Sequence, residues 1–195
     1  MAEDGEDEYI EVKLIFIGGE KQTSQRMIDK YIETLKNEDR LLSTGEDETK
    51  PIISLINGMK TKLILSTTDG KDKYRSLTTT YFKNSKKVYI TYKMENRQTA
   101  DSLEKWLTLV QTYCDYDVNI CILGFGKPVG DNQRTVEKVT EFANENRLVQ
   151  LFCKETDGDM IDFMKREIET GIVTGSQTPR GRKQKNESNG CCILL

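Results

Sequence analysis

The sequence contains no histidine among its 195 residues. This absence excludes the catalytic triads, general bases and zinc sites that depend on an imidazole ring. No apolar run reaches about 18 residues, so the sequence predicts no membrane-spanning helix. The N-terminus also lacks a basic segment followed by an apolar one, which is typical of secretory signals, and this favours synthesis in the cytosol.

The cysteines do not form a C-x-x-C pair, so a structural zinc site is not expected. Three of the five cysteines, Cys114, Cys121 and Cys153, lie in apolar or helical contexts. We predict that they are buried, reduced thiols. The net charge is −3, with both signs mixed along the chain, so we expect no nucleic-acid partner, which would require a clustered basic face.

Charge is nevertheless concentrated at the two ends. We predict an acidic disordered head over residues 1–9, a folded domain over residues 10–172, and a disordered hypervariable tail over residues 173–195. The acidic residues of the head are Glu3, Asp4, Glu6, Asp7 and Glu8, and the basic residues of the tail are Arg180, Arg182, Lys183 and Lys185.

The tail ends in a prenylation signal, Cys191-Cys192-Ile193-Leu194-Leu195, whose final leucine favours a geranylgeranyl group. One prenyl chain binds a membrane only marginally, so the basic residues or a lipid on Cys191 would supply the second signal. We therefore expect the prenylation machinery as a partner and lipid anchoring at the cytoplasmic face of a membrane, with a cytosolic pool. Modification of Cys191 and Cys192 together, and modification of Cys192 alone with removal of residues 193–195, are both open.

Strand and helix patterns alternate along the middle of the chain. They predict an α/β fold with a mostly parallel six-stranded sheet, one antiparallel edge strand and helices on both faces. The Asn57-Gly58 pair marks a hairpin. The predicted strands are residues 10–17, 51–56, 60–66, 87–92, 118–123 and 148–153, the predicted helices are residues 24–35, 98–113, 132–147 and 157–170, and residues 37–50 are predicted as a loop.

Residues 72–85, DKYRSLTTTYFKNS, resemble a segment of the Rab branch of the Ras-like small GTPases, E-R-F/Y-R-S-L-T-x-x-Y-Y/F-R-G. Trp106, the Gln133-Arg134 pair and the doubled cysteine near the end fit the same branch. The resemblance covers about residues 10–170 and the tail. It implies a P-loop small-GTPase-like fold, a GTP-dependent switch with magnesium, and trafficking effector proteins as partners.

The phosphate loop of that family reads G-x-x-x-x-G-K followed by serine or threonine. This chain keeps the first glycine but has serine in place of the lysine, glutamine in place of the magnesium-binding hydroxyl, and threonine in place of the second glycine. A glutamate adds negative charge to a site for a polyanion. The corresponding residues are Gly18, Gly19, Glu20, Lys21, Gln22, Thr23, Ser24 and Gln25.

The two switch segments are also altered. Thr67 stands where the family pattern D-x-x-G-Q has its magnesium-side aspartate, and Lys71 stands where it has the glutamine that orients water. Gly70 is retained. Thr44 is a candidate for the switch threonine, although a solvent-exposed loop residue explains it equally well.

The guanine site of the family reads N-K-x-D. Here Gly126 replaces the asparagine, Lys127 is retained, and Val129 replaces the aspartate that accepts hydrogen bonds from the base. Valine has no acceptor, so a charge-assisted interaction worth about 1.5–3 kcal/mol per bond is lost.

Two hypotheses follow from the altered motifs. The first is a Rab-like pseudo-GTPase in vesicle trafficking, a membrane-anchored interaction module with lost or weak GTP binding and without an enzymatic role. The second is a GTP-binding switch that holds GTP or GDP with magnesium through unconventional contacts and hydrolyses it very slowly. Only the second hypothesis requires a cofactor.

Overall fold

The computed structural model of the chain describes residues 9–44, 51–68, 79–128 and 130–175. Within these residues, seven strands form one sheet in the order β2-β3-β4-β1-β5-β6-β7. The strands are β1 (Ile10–Gly18), β2 (Leu41–Ser43), β3 (Ile52–Ile56), β4 (Met59–Thr67), β5 (Lys87–Lys93), β6 (Asn119–Phe125) and β7 (Val149–Cys153).

The mostly parallel character of the predicted sheet is confirmed, but the predicted number of six strands is wrong. β1 pairs in parallel with β4 and β5, and the parallel pairing continues through β6 to β7. The extra strand β2 lies within the segment predicted as a loop and pairs antiparallel with β3, so β3 is not the edge of the sheet. Arg40 holds this strand in place, because its backbone oxygen accepts from the Leu55 N–H at 2.8 Å and its Nε donates to the Leu55 carbonyl at 3.0 Å.

Helices cover both faces of the sheet. The predicted helix over residues 98–113 is divided at Ser102, whose hydroxyl donates to the Thr99 carbonyl at 2.7 Å. The last helix extends to Gly175, beyond its predicted end. The helices are α1 (Lys21–Asn37), α2 (Thr79–Phe82), α3 (Arg97–Asp101), α4 (Leu103–Tyr113), α5 (Gln133–Glu145) and α6 (Asp157–Gly175), and a 3₁₀ turn (Gly130–Asn132) precedes α5.

The core has two layers, one on each face of the sheet. Alternate residues of β1 point to opposite layers, so Leu14 packs with α1 and α6 while Ile15 packs with α4 and α5. A strand buried on both faces must be apolar on both, which explains the nearly continuous hydrophobic run of β1. No helix among the described residues has the length and apolar character needed to cross a membrane.

The three interior cysteines are free thiols, as predicted. Cys121 and Cys153 are buried, whereas Cys114 is only half-buried. Burial raises the pKa of Cys153 and of Cys114 to about 12, so both are protonated at neutral pH.

Candidate nucleotide site

The carboxyl ends of the parallel strands meet at one edge of the sheet, where ligands bind in open α/β folds. The segment after β1 is the shortest connection at this edge, since only Gly19 and Glu20 separate β1 from α1. We predicted that α1 begins at Ser24, but it begins at Lys21. The Ser24 N–H donates to the Glu20 carbonyl at 3.0 Å, and the Ser24 hydroxyl donates to the same oxygen at 2.8 Å. Five positions of the predicted phosphate loop, residues 21–25, are therefore helical.

The physical reason lies in the missing glycines. A loop that wraps a phosphate needs residues whose backbone turns successive N–H groups toward the ligand. Residues 20–25 contain no glycine, and they close ordinary helical hydrogen bonds instead. The backbone N–H of Ser24 is hydrogen-bonded inside α1, so it cannot donate to a ligand.

The retained motif glycine, Gly18, and its neighbour Gly19 serve packing. Gly18 has φ +143°, and a Cβ atom there would lie 2.3 Å from the Thr91 carbonyl oxygen of β5. A Cβ atom on Gly19 would lie 2.6 Å from Thr99 Cγ2 of α3. The Gly19 N–H also donates to the Thr91 carbonyl at 3.3 Å. These contacts account for both glycines through close approach of the backbone to β5 and α3.

Glu20 places a half-buried carboxylate just before α1. The Thr23 hydroxyl donates to Glu20 Oε2 at 3.1 Å. Burial raises the pKa of the Glu20 carboxyl, and the charges of Glu155 and Glu95 act in the same direction. The Thr23 hydrogen bond and the Lys93 charge oppose that rise. An acidic side chain thus lies at the start of α1, where a phosphate would need positive charge.

The position of the family's phosphate-loop lysine is occupied by Ser24, which is 1% exposed. Its hydroxyl is committed to the helix backbone. A buried neutral side chain of this length cannot bring a positive charge to a phosphate group. Lys21, the nearest lysine along the chain, lies in the first turn of α1.

The two magnesium-side positions are hydrogen-bonded to each other. Thr67 Oγ1, in the last residue of β4, donates to Gln25 Oε1 at 3.0 Å. The Gln25 amide nitrogen in turn donates to Asp29 Oδ1 at 2.9 Å. Magnesium is normally held by carboxylate and hydroxyl oxygens together with water. Here a threonine and a neutral amide occupy those positions and are hydrogen-bonded to each other.

The switch segments lie partly outside the described residues. Thr44 follows β2, and its side chain is exposed. Gly70 and Lys71 lie outside the described residues. Just before them, the Thr68 N–H donates to the Phe16 carbonyl at 3.1 Å and extends the pairing of β4 with β1.

On the guanine side of the site, the Glu95 side chain approaches Gly126. Gly126 has φ +110°, and a Cβ atom there would lie 2.5 Å from an oxygen of the Glu95 carboxylate. Glu95 is exposed, so the flexible end of its side chain could move aside for a larger residue, and the positive φ of Gly126 is the main constraint at this position. Lys127 is exposed, and Val129 lies outside the described residues.

The last loop at this edge is held by ion pairs. Lys93 Nζ lies 3.2 Å from Glu155 Oε1, and Lys154 Nζ lies 3.4 Å from Asp159 Oδ1. The hydrogen bond to Glu155 raises the pKa of Lys93. Lys93, whose charge lowers the pKa of Glu20, is therefore already paired with another carboxylate.

The residues described here do not fit GTP with magnesium. The phosphate loop is wound into α1, the lysine position is neutral, and the two magnesium-side groups bond to each other. In the described part of the chain, no group of three or more cysteine, aspartate and glutamate side chains is placed to hold a metal ion.

Sequence reasoning identified the altered motif positions but not their new contacts. The Gln25–Thr67 bond joins residues 42 positions apart, and neither residue type signals the other. Glu95 belongs to none of the family motifs that we compared, so nothing in the sequence marked its approach to Gly126. The Lys93–Glu155 pair is likewise visible only once β5 and the loop after β7 are brought together.

Comparisons with known proteins agree with this architecture. The family model for the Ras family matches residues 13–162. Ras-related protein Rab-4A of Danio rerio is 26% identical over 172 residues, which cover 86% of this chain and 80% of that protein. Ras-related protein Rab-18 of Caenorhabditis briggsae is 23% identical over 189 residues, 93% of each chain. Ras-related protein Rab-26 of Mus musculus is 33% identical over 150 residues, 71% of this chain and 57% of that longer protein.

Proposed function

Because the chain belongs to the Ras family of small GTPases, in its Rab branch, we propose that it is a pseudo-GTPase. It is an interaction module that folds and binds its partners without GTP. The observation that carries the proposal is the start of α1 at Lys21, which leaves only two residues between β1 and the helix. Without a loop there is no cradle of backbone N–H groups for the phosphates.

Electrostatics supports the same proposal. Phosphoryl groups in this family are held by a lysine, by magnesium and by backbone N–H groups. This chain offers the neutral Ser24 and the half-buried carboxylate of Glu20 in that region. Every charge-assisted hydrogen bond that is not formed removes about 1.5–3 kcal/mol of binding free energy. Several such losses add to the repulsion between a carboxylate and a polyanion.

The second part of the proposal concerns location. A prenyl group on Cys192, assisted by the basic tail and by Cys191, anchors the chain at the cytoplasmic face of a membrane. There it binds effectors of vesicle trafficking in one fixed conformation. The Gln25–Thr67 bond supports a fixed conformation, because it ties the end of β4 to α1 in place of a ligand.

The nucleotide content of the purified protein tests the proposal. The full chain is purified in buffer with magnesium, denatured, and the released nucleotide is quantified by ion-exchange chromatography. A Ras-family protein with intact motifs, prepared in parallel, serves as the positive control. We expect far less than one mole of guanine nucleotide per mole of this protein. An amount near one mole per mole would contradict the proposal and favour the GTP-binding switch.

Thermal unfolding gives a complementary measurement. A ligand at 100 times its dissociation constant stabilises a folded protein by about 2.7 kcal/mol. We expect no change in Tm when GTP and magnesium are added together at millimolar concentration. A matched variant that restores the phosphate loop carries Glu20→Gly, Thr23→Gly, Ser24→Lys and Gln25→Ser. It shows whether the rest of the site could bind GTP with magnesium.

A further inference from the structure

The strand β7 forms one edge of the sheet, since among the described residues it pairs only with β6. Its five residues, VQLFC, pair with β6 in one unbroken register and include no charged residue and no proline. Sheets prevent unwanted pairing of their edges with charged side chains, proline, bulges or very short strands. The other edge strand, β2, has only three residues and an irregular register. Of these two edges, β7 is the one that lacks such protection.

The backbone groups of β7 alternate between β6 and the open edge. The Cys153 carbonyl accepts from the N–H of Gly126, which directly follows β6, at 3.1 Å. Successive residues of a strand direct their N–H and C=O groups to opposite sides. Gln150 and Phe152 therefore direct these groups away from β6. The open edge offers the donors and acceptors of both residues to a further strand.

Apolar side chains lie on both faces of this edge. Val149 is 56% exposed and Phe152 is 45% exposed. Their positions differ by an odd number, so they point to opposite faces of the sheet. Leu151, on the face of Val149, packs partly against the layer of α1 and α6. Leu148, on the face of Phe152, packs partly against the layer of α4 and α5. A strand added here would therefore find apolar contacts on each face.

A second copy of β7, running antiparallel about a two-fold axis at Gln150, would match this edge. An axis perpendicular to the sheet keeps the two faces separate, and it places Val149 opposite Leu151 of the second copy. It also places Phe152 opposite Leu148 of the second copy. Each exposed apolar side chain thus meets an apolar partner on its own face. Gln150 opposes itself, and its edge-directed backbone groups would form the central hydrogen-bonded pair.

The charges at the two ends of β7 suit the same arrangement. Glu145 and Arg147 precede the strand, and Lys154 and Glu155 follow it. Antiparallel pairing brings the end of one strand beside the start of the other. Arg147 would then lie diagonally across from Glu155 of the second copy, within reach of long side chains. Lys154 would approach Glu145 of the second copy, so opposite charges meet at both ends.

We propose that two copies of this chain associate through β7, so that their sheets become one continuous sheet. Main-chain hydrogen bonds of Gln150 and Phe152 join the copies, and Val149 and Phe152 are buried between them. The association requires no nucleotide and is independent of the proposed pseudo-GTPase function. It explains why an uncharged, regular edge strand is kept in this position.

Sedimentation equilibrium of the full-length chain without lipid tests the association. Over a concentration series in the micromolar range, we expect the average mass to rise from 22.4 kDa toward twice that value. Phe152→Lys should weaken the dimer about a hundredfold, because the two-fold axis places the new charge in the interface twice and each copy should cost about tenfold. Leu42→Lys is the matched control, since Leu42 is 48% exposed on the opposite edge strand β2. It should leave the dimer unchanged.

Disulfide trapping tests the register. Gln150→Cys places a thiol on the two-fold axis, where the Cα atoms of a hydrogen-bonded pair lie about 5.5 Å apart, a distance that a disulfide spans. Val149→Cys is the control, because the two copies of this residue would be diagonal neighbours about 7–8 Å apart. Both variants also carry Cys191→Ser and Cys192→Ser. Mild oxidation should give a covalent dimer of Gln150→Cys and much less of Val149→Cys.

Circular dichroism and thermal unfolding establish that each variant is folded. If Phe152→Lys does not fold, Val149→Lys replaces it, because this side chain is the more exposed of the two. A chain that stays monomeric over the series would mean that β7 pairs with residues 176–195 or with a different protein, and the proposal would be wrong. Equal effects of Phe152→Lys and Leu42→Lys, or equal trapping at positions 149 and 150, would overturn it as well.

Discussion

Thr67 at the end of β4 and Gln25 in α1 are joined side chain to side chain, with 3.0 Å between hydroxyl and amide oxygen. In the Rab pattern, the corresponding residues face a magnesium ion from two sides. In this chain they face each other. The bond therefore connects the same two elements that a bound metal would connect.

We predict that this bond contributes to stability independently of any ligand. Thr67→Val and Gln25→Ala should each lower the free energy of unfolding, with a coupling of about 1 kcal/mol between them, because a neutral hydrogen bond is worth about that much. Urea unfolding of the two single variants and the double variant measures the coupling. Strict additivity of the two effects, or stabilisation of the unaltered chain by magnesium, would contradict the prediction.

A second prediction concerns Gly126. Gly126→Ala should destabilise the fold by about 2–3 kcal/mol, because its φ of +110° is a backbone conformation that residues with a Cβ rarely adopt. Gly130→Ala is the matched control, since Gly130 has φ +63° and nothing lies within 4 Å of its Cβ position. That control should cost about 1 kcal/mol.

Adding Glu95→Ala to Gly126→Ala separates backbone strain from the close approach of the carboxylate. It should recover little of the loss, because the exposed end of the Glu95 side chain can move aside while the backbone strain remains. Equal costs for Gly126→Ala and Gly130→Ala, or full recovery with Glu95→Ala, would contradict backbone strain as the main cause.

A third prediction concerns pH. Because burial raises the pKa of Glu20 in the folded state, the folded chain holds this proton more tightly than the unfolded chain does. The associated stability is present below the unfolded pKa of about 4.3 and is lost as pH rises through the folded value. Glu20→Gln should therefore stabilise the chain near neutral pH, and the gain should shrink toward zero in acid.

Urea unfolding of Glu20→Gln at several pH values tests whether the gain in the free energy of unfolding shrinks as the pH falls. The exposed residue Glu104, changed to glutamine, provides the comparison. A gain for Glu20→Gln that stays constant down to acid pH would show that ionisation of Glu20 has no part in it.

A fourth prediction concerns the lipid anchor. Cys192→Ser should move the protein from membranes to the cytosol in cells, measured by fractionation, because the prenyl group could not be attached. Cys191→Ser should weaken membrane binding only if that cysteine also carries a lipid. Cys114→Ser is the control, since this cysteine belongs to the folded domain. Continued membrane residence of Cys192→Ser would refute the anchor.

Local sequence patterns account for the strands and the turn that were predicted correctly. The apolar runs of β1 and β6 and the Asn57-Gly58 turn are local signals, and all three appear as predicted. β2 was missed because three residues, Leu41–Ser43, have no alternation to recognise and are ordered by pairing with β3. The start of α1 was misplaced because its apolar periodicity begins only at Met27, and the polar residues 21–23 give no periodic signal.

The sequence by itself determined the alternation of most strands and helices, the Rab-like framework and the altered nucleotide motifs, because these depend on residue types and local spacing. Only the tertiary structure decided what the altered residues do. Gln25 bonds to Thr67 and Glu95 crowds Gly126 because the sheet brings distant chain segments to a common edge. Contacts between such segments follow from packing geometry, and no local pattern along the chain encodes them.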